Sequence, residues 1–462
     1  MSKMKKIMKI RILSAGLLLL TMSSCGIYTS YQRSESLPTD SLYRDMPEGG
    51  QDTTSLASLS WRELFTDPCL VKWIETGLGQ NTDLQTARLR TEAAAASLQA
   101  SKLAFLPSVS LTPQGSLSHV EGGGTSKTYS LGGALEWEID AFGSLRNAKK
   151  GSRAAYDAQC AYEQAVQTQL VATIADTYYS LVALDKKLVI TQQTVEKWKE
   201  NVRAMQALKR AGQQTEAAVA QSEANLATAE ASVLTLRKQI NELENSFSTL
   251  LGMVPQKIER SDLFDLQFQS ELSIGVPAQL LSNRPDVRQA EYQLAQAFYA
   301  TNSARSAFYP RITLSGSAGW TNNLGTIVNP GKWLLNAVGS LVQPLFNKGK
   351  NIANLKIAKA QQEEALLAFG QKLLDAGAEV NNALVQWQTA QGRIALDRKQ
   401  ITSLESAVNS TSKLMKHGTT NYLEVLTAQQ TLLQAQLSEV TDKYDEIQSV
   451  INLYHALGGG IK

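Results

Sequence analysis

Three histidines, three cysteines and a run of glycines are the residues whose types could carry chemistry in this chain. His119, His417 and His455 lie far apart in sequence, and no HExxH, P-loop or GxSxG stretch surrounds them. Glu121-Gly122-Gly123-Gly124 lacks the Lys-Ser/Thr that a phosphate loop needs, so it reads as a flexible turn. His417 stands at a helix-ending turn, where a dipole or surface role suits it better than that of a catalytic base. Cys69 and Cys160 make no disulfide framework and no CxxC zinc pair, and they are expected as small buried side chains. No cofactor or metal site emerges. An enzyme is the weakest reading of these residues.

Cys25 is different. Lys3, Lys5, Lys6, Lys9 and Arg11 form a charged region, and Ile12 to Met22 form an apolar one, too short to span a bilayer comfortably. This is a secretory signal over residues 1–24. It ends in Met22-Ser23-Ser24-Cys25-Gly26, which resembles a bacterial lipobox with Met in place of the usual Leu. The resemblance implies cleavage before Cys25 and its acylation. Gly26 is not the Asp that holds lipoproteins at the inner membrane in enteric bacteria, which favours the outer membrane.

The composition sets further bounds. A formal charge of +3 on 462 residues, with no basic patch interleaved with aromatics, gives no basis for a nucleic-acid surface. Hydrophobic residues make up 43% and mean hydropathy is −0.19. Beyond the N-terminus no run of about 18 apolar residues offers a transmembrane helix. Membrane β-strands remain open, because their hydropathy signal is weak.

The elements that would position any site are organised by a switch of period. Up to Ala104-Phe105-Leu106-Pro107 the spacing is helical, and Ser108-Val109-Ser110-Leu111-Thr112 then alternates. Proline suits the switch, because it has no N–H and disfavours helix in the residue before it. The switch recurs at Ala307-Phe308-Tyr309-Pro310, before Arg311-Ile312-Thr313-Leu314-Ser315. Asp83 and Asp286, Phe105 and Phe308, Pro107 and Pro310 match at an offset of 203. After the strands, Ile139 and Leu345, Gly143 and Gly349, Gly212 and Gly418, and Gly252 and Gly458 match at 206, so one short loop insertion separates two copies.

The expected organisation is a tether over 25–60, a first copy over 61–254, a connector over 255–285, a second copy over 286–458 and a tail over 459–462. Strands are expected at about 108–118, 128–140, 311–320 and 333–345, and long helices at about 143–211 and 349–417. Each helix would run roughly 100 Å, beyond any ordinary globular helix. Ile174, Leu181, Leu188, Val195 and Val202 recur every seven residues, as do Leu366, Leu373, Val380, Trp387, Ile394, Ile401, Val408 and Met415. Such a repeat implies left-handed supercoiling against neighbouring helices.

Strands of about ten residues with one apolar face have the length of tilted membrane strands. Four strands are too few to close, since barrels start at about eight. Open edges cannot sit in lipid, so the chain must oligomerise. Periodicity does not choose the number of copies.

Trp61-Arg62-Glu63-Leu64-Phe65, Asn81-Thr82-Asp83-Leu84, Arg284-Pro285-Asp286-Val287, Phe308-Tyr309-Pro310-Arg311-Ile312, Gln343-Pro344-Leu345-Phe346 and the stretch from Asn421 to Gln429 resemble the outer-membrane efflux family of TolC type. The similar branch is the lipoprotein factors of resistance-nodulation-division efflux systems, and the resemblance covers nearly the whole mature chain. It implies a mainly α protein with membrane β: a homotrimer whose 12-stranded β-barrel in the outer membrane continues into a periplasmic α-barrel. It implies a passive duct, fed by an inner-membrane transporter through a periplasmic adaptor. It places the adaptor contact at two helix turns, marked by Arg210 and Gly212 and by Lys416 and Gly418. It places the periplasmic constriction at Thr420, Asn421, Glu424 and Thr427. Three copies of Glu424 would form a negative ring that attracts cations. Thr427 and Thr420 stand where some relatives carry a second acid and a basic residue.

A structural or adhesive coiled-coil lipoprotein would explain the heptads and the lipobox, but not two strand pairs entered through Phe-x-Pro. A periplasmic adaptor would need one helical hairpin and compact β domains, against which the duplication argues.

Overall fold

A computed structural model describes residues 28–33, 42, 56–122, 124–261, 280–324, 326–416 and 422–461. The signal segment, Cys25, and the stretch from His417 to Asn421 lie outside these residues. In chain order the described elements are α1 (Trp61–Leu64), α2 (Pro68–Gln80), α3 (Thr82–Leu103), β1 (Ser108–His119), β2 (Thr125–Ile139), α4 (Ser144–Arg210) and α5 (Glu216–Leu250). There follow α6 (Leu280–Asn283), α7 (Pro285–Ser306), β3 (Arg311–Asn323), β4 (Ile327–Val342), α8 (Lys350–Lys416) and α9 (Tyr422–Ala456). The chain forms two compact units, and each takes segments from both halves of the sequence.

The first unit comprises the described residues of 1–37, 89–160 and 289–370 and holds one antiparallel sheet in the order β1-β2-β3-β4. Three strands depart from the sequence expectation, and of these β3 runs on to Asn323, past 320. β2 begins at Thr125 and β4 at Ile327, earlier than 128 and 333, and β4 ends at Val342 before 345. The early part of β2 is polar throughout, and Pro330 interrupts β4, so neither start shows an alternating signal. Pro113 and Pro330 both fall on the outer strands of the sheet, where a missing N–H is tolerated. Between the central strands, a Cβ on Gly319 would stand 2.7 Å from the Gly132 Cα, so this crossing accepts only glycine.

The second unit comprises the described residues of 38–88, 161–288 and 371–462 and holds the main core. Trp61, Phe65, Leu70 and Ile74 of the first helical segments pack on Ile174, Tyr178, Tyr179 and Leu181 of α4, Phe247 of α5 and Ile451 and Tyr454 of α9. Ser60 and Glu63 form a capping box that starts α1, with the Ser60 N–H donating to the Glu63 carboxylate at 2.8 Å. Asp67 caps α2 and also accepts from the Tyr178 hydroxyl at 2.6 Å. The heptad residues Ile174, Leu181, Leu373 and Val380 are fully buried. Cys69 and Cys160 are free thiols, and both are only half-buried, short of the expectation. Cys69 sits on the open first turn of α2, and Cys160 on a stretch of α4 that stays partly open to solvent.

Matched residues of the two copies do the same work. Asn81 Nδ2 donates to the Leu250 carbonyl at 2.8 Å, and its counterpart Arg284 donates from Nη1 to the Ala456 carbonyl at 3.0 Å. Each contact pins the start of one helix to the end of another. Gly252 and Gly458, which follow those carbonyls, both hold positive φ, of 72° and 91°. This is the left-handed turn that ends a helix and that glycine adopts without steric cost.

Candidate functional site

The sheet of the first unit has two chemically distinct faces, and its register fixes them. Val109 opposes Leu135, and Leu111 opposes Gly133. Leu131 opposes Trp320, Trp137 opposes Leu314, and Ile139 opposes Ile312. Ile312 opposes Leu341, Ala318 opposes Leu335, and Trp320 opposes Trp333. Directly opposed residues project to one side of a sheet. The apolar parity of all four strands therefore forms one continuous surface. The other parity carries Ser110, Thr112, Gln114, Ser130, Glu136, Thr313, Ser315 and Asn336. The apolar side is open: Val109 is 77% exposed, Leu335 77% and Trp333 70%. A folded monomer in water rarely leaves such a contiguous patch. Among the described residues, the outer edges of β1 and β4 pair with no other strand.

The ends of the sheet are tied to the helices. Trp137 Nε1 donates to the Phe105 carbonyl at 2.9 Å, and Gln343 Nε2 donates to the Phe308 carbonyl at 2.9 Å. Phe142 and Tyr309 stack with ring centroids 5.4 Å apart. Tyr28 lies here too: a Cβ on Gly143 would stand 3.1 Å from its ring. Tyr31 then meets Phe298 edge-on at 5.8 Å, and Arg33 pairs with Glu291 through two hydrogen bonds.

In the second unit, the chain ends of two helical hairpins come together. Met205 of α4, Val219 of α5, and Tyr422 and Leu426 of α9 form one buried cluster, with Leu208 and Met415 against it. Burial pushes the Tyr422 phenol above its ordinary pKa, against the pull of a hydrogen bond with Ser222. Arg210 is the exposed last residue of α4, and Gly212 turns the chain with φ 73°. Lys209 and Glu216 form an ion pair across that turn. Thr215 caps α5 by accepting from the Ala218 N–H at 3.2 Å. Lys416 ends α8. Glu424 lies exposed in the first turn of α9, and Thr427 is exposed with its hydroxyl bonded to the Leu423 carbonyl. Gly418, Thr420 and Asn421 lie outside the described residues. The residue that sequence reasoning missed is Tyr422. Its signal was an aromatic directly after the turn, at the place where an amphipathic helix starts.

The remaining candidates for chemistry do not assemble. His119 bonds Thr125 at 3.0 Å, and burial lowers the His455 pKa, with Arg284 adding to the effect. Among the described residues no three His, Cys, Asp or Glu side chains come together as a metal site. No described helix is long and apolar enough to cross a membrane.

A family model described as outer membrane efflux protein matches residues 73–253 and 276–459. The chain belongs to the outer membrane efflux protein family. The cation efflux system protein CusC of Escherichia coli O6:H1 is 27% identical over 446 residues, which cover 96% of this chain and 97% of CusC. The probable outer membrane lipoprotein SilC of Salmonella typhimurium is 26% identical over 462 residues, 98% of this chain and 99% of SilC. The solved outer-membrane channel OprN superposes with a TM-score of 0.84 at 27% identity, over 95% of this chain and 100% of OprN. This efflux protein is thus an outer-membrane channel component of an efflux pump, as its amphipathic sheet and long helices require. The coiled-coil adhesin alternative gives way to that reading.

Proposed function

We propose that three copies of this chain close into one passive duct, with twelve strands forming a β-barrel in the outer membrane and the helices forming an α-barrel below it. The observation that carries this reading is the continuous apolar face on a sheet whose two edges have no partner strand among the described residues. Lipid cannot satisfy open backbone groups, so β1 of one copy must pair with β4 of another. The polar face then lines the lumen. Cysteine scanning along β1 and β4, in a background without Cys69 and Cys160, tests it. Disulfide-linked trimers are expected, and dimers or monomers alone would overturn it.

The duct is fed by an inner-membrane transporter of the resistance-nodulation-division type through a periplasmic adaptor. The turns at Arg210 and Gly212 and at Lys416 and Gly418 contact the adaptor. Thr420, Asn421, Glu424 and Thr427 line the constriction. The protein is not an enzyme and uses no cofactor. The transporter selects cargo, so deletion followed by a panel of drugs, bile salts and metals identifies what is exported.

Cys25 carries an acyl anchor. Tyr28 supports this, because it sits beside Gly143 at the end of the sheet. Three residues span at most about 11 Å, which bounds how far an anchor at Cys25 can lie from Tyr28. Palmitate labelling lost in Cys25→Ser, with the channel still in the outer membrane, is the expected result.

A further inference from the structure

The four connections between helices and sheet share one charge pattern. α3 enters β1 past Lys102, and α4 leaves β2 with Lys149 and Lys150 in its early turns. α7 enters β3 past Arg305, and α8 leaves β4 behind Lys348 and Lys350. All six side chains are exposed. Among the described residues none of them has a carboxylate within ion-pair distance; Arg305 reaches only the Asn302 amide, at 3.4 Å. Residues 98–107, 140–150, 302–310 and 342–350 contain a single acid, Asp140. That acid is already bound by the Arg146 side chain and the N–H groups of Leu145 and Arg146.

The cations are mixed with apolar groups. Lys149 Nζ lies 5.7 Å from the Phe105 ring centroid, and Lys150 Nζ lies 5.6 Å from that of Tyr299. Leu345 is 93% exposed and Phe346 86% exposed beside Lys348. Long cationic side chains with apolar stems and aromatic neighbours suit the boundary between hydrocarbon and water. Lys348 is also the one described non-glycine residue with positive φ, 47°. A lysine is costlier there than glycine would be.

We propose that Lys102, Lys149, Lys150, Arg305, Lys348 and Lys350 form a belt that binds phosphates of anionic phospholipids in the periplasmic leaflet of the outer membrane. The proposal rests on the reading of the sheet as the membrane-spanning part. Unpaired cations at the level where strands end meet the headgroup phosphates, and each contributes attraction that salt weakens. A trimer would present three such sets around its circumference.

The test uses the purified trimer in nanodiscs of phosphatidylethanolamine with about 20% phosphatidylglycerol, an anionic fraction of the kind that draws basic segments to a membrane. Lipid retained through detergent extraction is quantified by mass spectrometry, and conductance is recorded in neutral bilayers. Wild type is expected to retain phosphatidylglycerol in excess of its bulk fraction. Lys149→Gln, Lys150→Gln, Lys348→Gln and Lys350→Gln together are expected to remove most of that excess. Lys348→Gly alone relieves the backbone and should lower it while the trimer becomes harder to unfold. Lys127→Gln with Lys332→Gln, at the other end of the strands, should leave it unchanged. Equal retention by wild type and the fourfold variant overturns the belt, as does an equal loss in the Lys127/Lys332 control. Unchanged retention with altered ion selectivity would place the lysines in the lumen and overturn it as well. A conducting trimer without lipid preference defeats the belt alone. Absence of a trimer in wild type defeats the channel reading, and the belt with it.

Discussion

Trp137 donates its indole N–H to the Phe105 carbonyl, closing the switch from α3 to β1 across the width of the strand pair. Gln343 does the same for Phe308 in the second copy, with a different side chain and the same distance of 2.9 Å. The Phe-x-Pro element leaves a carbonyl that the following proline cannot help to satisfy by continuing a helix. Both copies supply a donor from the returning strand.

That donor has a measurable value. Trp137→Phe keeps the ring and removes the N–H, and Gln343→Ala removes the amide. Each is expected to cost about 1 kcal/mol. A lower denaturant midpoint for both, with unchanged secondary structure, is the result to look for; unaltered midpoints would mean that water replaces the donor freely.

Acid should act on Asp286. Burial pushes its carboxyl pKa up, but hydrogen bonds from Arg284 and Lys372 outweigh this and hold it well below the usual carboxylate range. A depressed folded pKa gives stability that is present above about pH 4 and lost as pH falls toward the folded value. Asp286→Asn is therefore expected to weaken the protein at pH 7 by about 2–4 kcal/mol and to flatten its acid-side decline. Denaturation curves between pH 7 and pH 3 decide; a decline as steep as in wild type would assign it to other carboxylates.

Asp442 works with the opposite sign. It is 1% exposed on α9, and burial, then the neighbouring carboxyl of Asp397 of α8, push it up to about 6. Arg393 opposes the shift from 2.7 Å, and Asp445 adds to it. Asp445 is itself raised by burial, against the pull of Arg393 and, less, of Lys187 of α4. A raised folded pKa favours the protonated fold, so stability falls as pH rises from about 4 to about 6 and then levels off. Asp442→Asn should stabilise the protein by about 2 kcal/mol at pH 7 and do little at pH 4. A variant less stable at pH 7 would show that the Arg393 pair outweighs the burial penalty.

Glu424→Ala addresses the constriction. Loss of the three carboxylates that the proposed trimer would bring together should lower cation preference and weaken block by divalent ions. Reversal potentials under a salt gradient measure this, and unchanged values would remove Glu424 from the pore.

Much of this architecture is legible in the sequence because it rests on period. Val109, Leu111 and Leu117 announce a strand, and Ile174, Leu181 and Leu188 announce a helix packed on neighbours. The 203-residue offset between Phe105 and Phe308 announces the duplication. What period does not carry is contact between distant residues. Arg284 meeting the Ala456 carbonyl at 3.0 Å, or Asn81 meeting that of Leu250, depends on where two helices end relative to each other. Tyr422 reads as an ordinary helix start until Met205 and Val219 are seen against it. The polar start of β2 and the proline of β4 conceal strand residues, because pairing there is set by the partner strand and not by amphipathicity. The proposed constriction would form only where copies of the chain meet, which no single sequence period encodes.

The most direct measurement is the conductance of the purified mature protein across a planar lipid bilayer, with its mass determined in the same detergent. The account requires a trimer that inserts and conducts ions as a passive pore. A monomer that stays in solution, or a trimer that inserts without conducting, would contradict it.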